Sequence, residues 1–312
     1  MTRRSTSRRT PPRWATADLR AAVAGLKGDV KFSAPLKEYT SFRIGGPADV
    51  LVMPADADDV SRLVRQAHAA DIPIFVLGGT NLLVRDHGIR GIVVSLARMK
   101  AITDEPGHVL YAEGGVGMPT LMKHATSRGL SGLEWAAGIP GTAAGCVVMN
   151  AGTTLGEMKD SVKAVRIVES PGVTIDVPAS AIRFSYRQAL LPRGIVVGVW
   201  VQLKPAPKDK IQATVKEYLR HRKNTQPLTL PSAGCVFRNP GHDAAGRVIE
   251  SAGLKGARVG DAQVSDKHAN FVVNLGHAKA ADVIALIKKV GRTVEDKTGL
   301  TLELELKIVG EP

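Results

Sequence analysis

Cysteine is scarce: the chain has two in 312 residues, Cys146 and Cys235. Neither sits in a CxxC pair or a His/Cys cluster at ligand spacing, which argues against a disulfide framework and a structural zinc site. Long apolar runs are lacking as well. The longest, "GIVVGVWVQL", falls short of the roughly 18 residues of a membrane span, and no apolar h-region follows the arginines at the start. A soluble, cytoplasmic protein is expected, with no membrane partner. Also missing are G-x-G-x-x-G and G-x-x-x-x-G-K-[ST], so neither a Rossmann fingerprint nor a Walker A loop is supported. Acidic residues are outnumbered, 29 to 42, for a net charge of +13. The opening "MTRRSTSRRTPPR" supplies five arginines and no acid, leaving +8 for the rest. Its composition cannot bury enough apolar surface to fold, so residues 1–26 are expected to be a disordered basic tail. A nucleic-acid arm would call for interleaved aromatics or a recognisable module, and neither is there. The remaining charge suits an anionic small molecule.

Hydrophobic residues make up 44% and glycines number 32, enough for a substantial core and for two domains rather than one. From Asp56, Val60, Leu63, Val64 and Ala67 recur at helical spacing behind an Asp cap, and "DIPIFVLGGTNLLV" reads as a buried strand breaking into a glycine turn. Short β-rich runs follow between residues 90 and 205, with one helix at "PTLMKHATSRG" ending on Gly129. "PAPKD", Pro205 to Asp209, is the best boundary. Beyond it come a helix over Ile211 to Arg222, the strand "ANFVVNL", a helix through Val283, Leu286, Ile287, Val290 and Val294, and a final strand "LELELKIV". Alternation there places Leu302, Leu304, Leu306 and Ile308 on one face, with Glu303, Glu305 and Lys307 on the other. On the Ile211 helix, Val215, Tyr218 and Leu219 share a face, and Arg222 returns to it within about 20°.

Three glycine-rich segments offer bare backbone N–H groups able to cradle phosphate: "FRIGGPA", "VLGGTNLLV" and "GLEWAAGIPGTAAGCVVMNAG". In order and spacing they resemble the flavin-binding half of the UDP-N-acetylenolpyruvoylglucosamine reductases. The likeness continues through "FSYRQALLP", "PSAGCVFRNP", "VSDKHANFVVN" and "GLTLELELKIVG", and only the first thirty or so residues lie outside it. Thr80 stands where the family usually has Ser, Ala144 where Gly is common, and Thr225 where some members carry lysine.

The resemblance implies an α+β fold of the vanillyl-alcohol-oxidase type. Two subdomains over 27–206 would grip FAD, and 207–312 would form a substrate domain whose last strand returns to the FAD domain. It implies a monomer that passes hydride from NADPH through FAD to the enolpyruvyl ether of a UDP-sugar in peptidoglycan precursor synthesis. The implied flavin contacts are Ile44, Gly45 and Gly46; Gly78, Gly79, Thr80, Asn81 and Leu82; Gly138, Ile139, Pro140, Gly141 and Thr142; and Asn150, Ala151 and Gly152. Arg187 and Glu305 would be catalytic, with Glu303 second to Glu305. Cys235, where the family's proton donor is most often serine, would be the acid, at the risk that Arg187 and Arg238 depress its pKa and leave a thiolate useless as an acid. Tyr186, Arg222, Lys223, Asn239, His268 and Asn270 would hold substrate. Arg187 to Cys235 spans 48 positions, which suits the shorter family form lacking a tyrosine loop. Two other readings are an FAD-dependent oxidase of the same fold and a nucleic-acid-associated protein acting through its tail.

Overall fold

The computed structural model describes residues 14–78, 80–241 and 243–312. The tail expected over 1–26 gives way to structure earlier than that. Thr16–Ala22 forms helix α1, and Leu19, Ala22 and Val23 are buried. These apolar residues at helical spacing lie past the arginine-rich stretch, whose composition was carried too far along the chain. Residues 1–13 lie outside the described residues.

The first sheet runs in the order Asp29–Pro35, Pro47–Met53, Ile89–Val94, Ile74–Val76, antiparallel at the first pair and parallel thereafter. Strand alternation divides its side chains between two cores. Val50, Val52, Ile92 and Val94 join helix α2 (Ala57–Ala69) and the second sheet, while Leu51 and Val93 pack on the opposite face. Helix α2 starts where the sequence says it should. Asp56 accepts the Asp59 N–H at 2.8 Å, and Val60, Leu63, Val64 and Ala67 are buried, each large apolar one stabilising by about 1.5–3 kcal/mol. The second sheet is five-stranded and antiparallel: Val173–Pro178, Val162–Glu169, Gly194–Gln202, Val109–Glu113, Ile102–Glu105. Helices α3 (Met118–Ser127) and α4 (Ala143–Val148) contribute buried faces to this core.

The helix after "PAPKD", α5 (Lys208–Thr225), turns back. Ile211 is buried, and Val215 and Tyr218 pack on the core of the first two sheets. The chain therefore leaves this part of the molecule near residue 226, and not at Pro205 as composition suggested. It then enters a four-stranded antiparallel sheet, Ser232–Cys235, Phe271–Asn274, Ala262–Val264, Arg258–Val259. This sheet shares a core with α6 (Ala245–Ser251) and α7 (Ala280–Thr298), the latter through Val283, Leu286, Ile287, Val290 and Val294.

The C-terminal unit is stitched to the first sheet's unit. Lys307–Val309 runs parallel to Leu82–Val84. The Asp86 carboxylate accepts the first N–H groups of α7, from Ala280 at 2.8 Å and Ala281 at 3.0 Å, where an anion is favoured by the helix dipole. Asn274 Nδ2 donates to the Phe42 carbonyl at 3.1 Å.

Candidate active site

Arg187, Glu305 and Cys235 come from three distant segments. Tyr186 and Arg187 form the two-residue turn between strands Arg183–Ser185 and Gln188–Leu190, with Ser185 opposite Gln188. Arg187 has φ 56°, a left-handed conformation costing a non-glycine residue roughly 1–2 kcal/mol. Its guanidinium lies over the Tyr186 ring, 4.8 Å from the centroid, and its Nε donates to Glu305 Oε1 at 3.3 Å. The two charged side chains are 21% and 14% exposed.

Glu305 reaches that position because the terminal segment is not the regular strand its alternation predicts. Only Lys307–Val309 is a strand, and Leu304 makes an isolated bridge to Phe237. The N–H groups of Glu305 and Leu306 both donate to the Val236 carbonyl, at 2.9 and 3.1 Å. Two consecutive donors on one acceptor break the period-two pattern. Leu304 is consequently 42% exposed, whereas Leu306 is buried. Burial pushes the Glu305 carboxyl above its ordinary range, against the pull of Arg187 and Arg238. Glu303 is exposed, and its carbonyl accepts the Arg238 N–H.

Cys235 ends the strand Ser232–Cys235, opposite Phe271, and its thiol is pushed up to about 12. Burial is the main cause and Glu305 adds to it; Arg187, Arg222 and a hydrogen bond from Asn270 pull the other way. The thiolate that the arginines could have produced is thus not favoured, because removal from water outweighs the cations, and Arg238 acts on Glu305 instead. Arg222, in the last turn of α5, packs against Gly138, where a Cβ would meet its Cδ and Nε at 3.2 Å. Burial lowers its pKa from the usual guanidinium value, and its Nε is buried without a partner among the described residues.

The other expected substrate contacts diverge. Tyr186 is 44% exposed, and Lys223 and Asn239 are exposed as well, Asn239 Oδ1 accepting the Ala245 N–H at 3.1 Å. Asn270 is 2% exposed. Its Oδ1 accepts the Phe237 N–H at 2.9 Å and its Nδ2 donates to the Phe237 carbonyl at 2.8 Å. It clamps the segment that carries Cys235. His268 Nδ1 accepts the Asn270 N–H at 3.2 Å, and its ring packs on Phe271 and Gly246, with burial lowering its pKa. This histidine shapes a turn.

The glycine segments divide in the same way. Ile44 is buried in the C-terminal core, the Gly46 N–H is taken by the Arg85 carbonyl, and a Cβ at Gly46 would collide with the Asp86 carbonyl. Ile44, Gly45 and Gly46 therefore serve close packing. Leu82 is buried in the strand beside Lys307, and Gly79 lies outside the described residues. The Thr80 carbonyl accepts the Ser41 hydroxyl at 3.4 Å. Gly78 and Gly145 bring the second and third segments together, since a Cβ at Gly145 would strike the Gly78 carbonyl. Thr142 caps α4 by accepting the Gly145 N–H at 3.2 Å, and Gly141 and Ile139 hold the turn before it. Pro140 is exposed there. Asn150, expected at the flavin, has its carboxamide committed within the protein; Ala151 and Gly152 flank a short hairpin with Gly156–Glu157.

Space and polar groups suited to a dinucleotide remain in the second and third segments. Open space surrounds the Cα of Gly78, and Asn81 Oδ1 is buried without a partner among the described residues. The N–H groups of Gly78, Asn81, Gly138 and Gly141 have no backbone acceptor among those residues. Backbone donors of this kind suit phosphate oxygens.

Residues 48–177 match the model of an FAD-binding domain, and residues 226–309 match the C-terminal domain of UDP-N-acetylenolpyruvoylglucosamine reductase. UDP-N-acetylenolpyruvoylglucosamine reductase 2 of Symbiobacterium thermophilum is 46% identical over 286 residues, 91% of this chain and 93% of its own. The reductase of Geobacter metallireducens is 42% identical, over 92% and 96% of the two chains. The crystal structure of the Thermus caldophilus reductase superposes with a TM-score of 0.79 at 38% identity, covering 91% of this chain and all of that one. The chain belongs to the UDP-N-acetylenolpyruvoylglucosamine reductase family. FAD is the cofactor of the matched domain, and the second and third glycine segments fit it; within this reductase framework the first segment is scaffold. The C-terminal match begins after α5, where the packing also changes over.

Three residues of this reductase fold carry contacts that the motifs did not announce. Asn81 Nδ2 donates to the Glu305 carbonyl at 2.9 Å, so a residue of the second glycine segment also holds the terminal segment. Ser41 donates to the Ser232 carbonyl at 2.9 Å, and Asp86 caps α7. Their partners lie about 190 or more positions away, beyond any periodicity.

Proposed function

We propose that the protein is an NADPH- and FAD-dependent reductase that converts the enolpyruvyl ether of UDP-N-acetylglucosamine to the lactyl ether of UDP-N-acetylmuramate, in peptidoglycan precursor synthesis. The observation that carries this reading is the convergence of Arg187, Glu305 and a protonated Cys235 beside the flavin loops. Gly78, Asn81, Gly138 and Gly141 would hold the FAD. When bound, FAD accepts a hydride from a reduced nicotinamide and delivers it to a carbon electrophile. Hydride at the terminal carbon of the enolpyruvyl group puts negative charge on the neighbouring carbon and its carboxylate. Arg187 stabilises that charge, and the Glu305 carboxylate and Tyr186 ring orient its guanidinium. The Cys235 S–H then donates its proton to the neighbouring carbon. A thiol held near 12 stays protonated at neutral pH, so it serves as an acid and not as a nucleophile. Arg222 supplies positive charge between the third glycine segment and Cys235.

No helix among the described residues is long and apolar enough to cross a membrane; we place the enzyme in the cytoplasm as a monomer. The test is spectroscopic. The purified protein should be yellow, bleach with NADPH under argon, and recover its colour on addition of enolpyruvyl-UDP-N-acetylglucosamine. Recovery with oxygen alone and none with the sugar would favour an oxidase of the same fold.

A further inference from the structure

We infer that Asn150 is the positioning residue for Arg187, an inference that rests on the reaction proposed above. Asn150 is completely buried and has φ 39°, a left-handed conformation that asparagine tolerates better than most residues. Every hydrogen-bonding atom of its carboxamide is engaged by the protein. Nδ2 donates to Glu157 Oε2 at 2.7 Å and to the Ser185 carbonyl at 3.0 Å, while Oδ1 accepts the Lys159 N–H at 3.1 Å. Neither carboxamide N–H is left over for a cofactor.

Ser185 is the residue immediately before the Tyr186–Arg187 turn. The hairpin around that turn is three pairs long, with Tyr186 44% and Leu190 60% exposed. A two-stranded hairpin this short has little stability of its own, yet its tip holds a non-glycine residue in the left-handed region. Such a conformation persists only where the surroundings fix it. The Glu305 contact, at 3.3 Å, is too long to do so alone. Phe184 and Ala189 pack the hairpin's strands on the core, and the Asn150 tie fixes its tip, joining it to a buried point 35 positions away. That point is itself firm. The Asn150 N–H donates to the Val147 carbonyl at 2.9 Å, the Ala151 N–H to the Cys146 carbonyl at 2.8 Å, and Glu157 forms a reciprocal capping pair with Asp160. The hairpin is thereby set against the third glycine segment, and Arg187 is held beside Glu305.

The test is a pair of substitutions that removes the tie and keeps its base. Asn150→Asp alone sets two carboxylates together. In Asn150→Asp/Glu157→Gln the donor is moved to residue 157, so the local contact survives and the Ser185 carbonyl loses its partner. The double variant should retain FAD and reduce it with NADPH within about threefold of wild type, with the sugar KM within about threefold. The rate of the enolpyruvyl half-reaction should fall about a hundredfold. Amide exchange at Gln188 should quicken. In an Arg187→Ala background the same two changes should cost less than about threefold, because the residue they position is gone. Equal losses in both half-reactions, no loss at all, or an undiminished loss in the Arg187→Ala background would overturn the inference. Wild-type turnover in the same assay checks the proposed reaction separately. If Asn150→Asp/Glu157→Gln fails to fold, Asn150 is a folding residue and the positioning role is rejected.

Discussion

The two cysteines carry thiols pushed to the same value, about 12, by different surroundings. Cys146 lies in α4 between Ala143 and Val147, and burial alone raises it. Cys235 lies at a strand end where burial and Glu305 raise it while Arg187 and Arg222 pull it down. An equal shift thus covers two situations. A perturbed pKa by itself does not mark a reacting group; the charged neighbours that would steady a substrate do. For Cys146 the shift is a by-product of packing.

The comparison breaks if the two thiols prove interchangeable. Cys235→Ala should slow the enolpyruvyl half-reaction by about 10²–10⁴ while NADPH still reduces the flavin normally. Cys146→Ala should leave both half-reactions close to wild type. Stopped-flow traces at the flavin band separate the steps, and Cys235→Ser should recover at least about tenfold over the alanine variant. Full turnover by Cys235→Ala would return that cysteine to the same class as Cys146.

Alkylation offers a sharper contrast. At pH 8 both thiols should react with iodoacetamide about a thousandfold more slowly than free cysteine, since the thiolate is correspondingly rare. Rates should climb about tenfold per pH unit towards 12, with Cys235 modified first because it is partly exposed. Fast inactivation at pH 7 would show that the arginines win after all. A thiol raised in the folded state favours folding fully below its unfolded pKa, about 8.5, and that contribution is lost as pH rises towards 12. Melting temperature should therefore fall with pH above 9, and fall less steeply in Cys146→Ala.

Next in size is Glu305→Gln, expected to cost about a hundredfold in the enolpyruvyl half-reaction and little in flavin reduction. Equal loss in both would assign Glu305 to structure. Asn270→Ala removes two buried hydrogen bonds to Phe237 and should destabilise the protein by about 2–4 kcal/mol in urea unfolding, loosening the segment next to Cys235. The smallest effect should be that of Asp56→Ala, about 1 kcal/mol, through loss of the α2 cap far from either thiol.

Local signals served well where the governing forces are local. The cap at Asp56, the buried face of α7 and the stop of α3 at Gly129, φ 68°, were legible in the sequence because capping and 3.6-residue periodicity act within a few positions. The motif order likewise pointed to the family. His268 and Asn270 could not be placed from their motif for a physical reason: a buried carboxamide and an imidazole look alike in sequence whether they face a ligand or a neighbouring strand. Asn270 turned out to hold Phe237, 33 positions away.

The sequence by itself determined four of the helices, α2, α3, α5 and α7, several of the longer strands, the basic charge and the set of residues among which the chemistry had to be sought. Only the tertiary structure decided which of them meet. "LELELKIV" contains no sign that Val236 would accept two successive N–H groups and turn Glu305 towards Arg187. Nor does "PSAGCVFRNP" reveal that burial would outweigh the cations at Cys235. Hydrogen-bond competition and desolvation depend on what lies within a few ångströms in space, and in this chain those neighbours are separated by 13 to 118 positions.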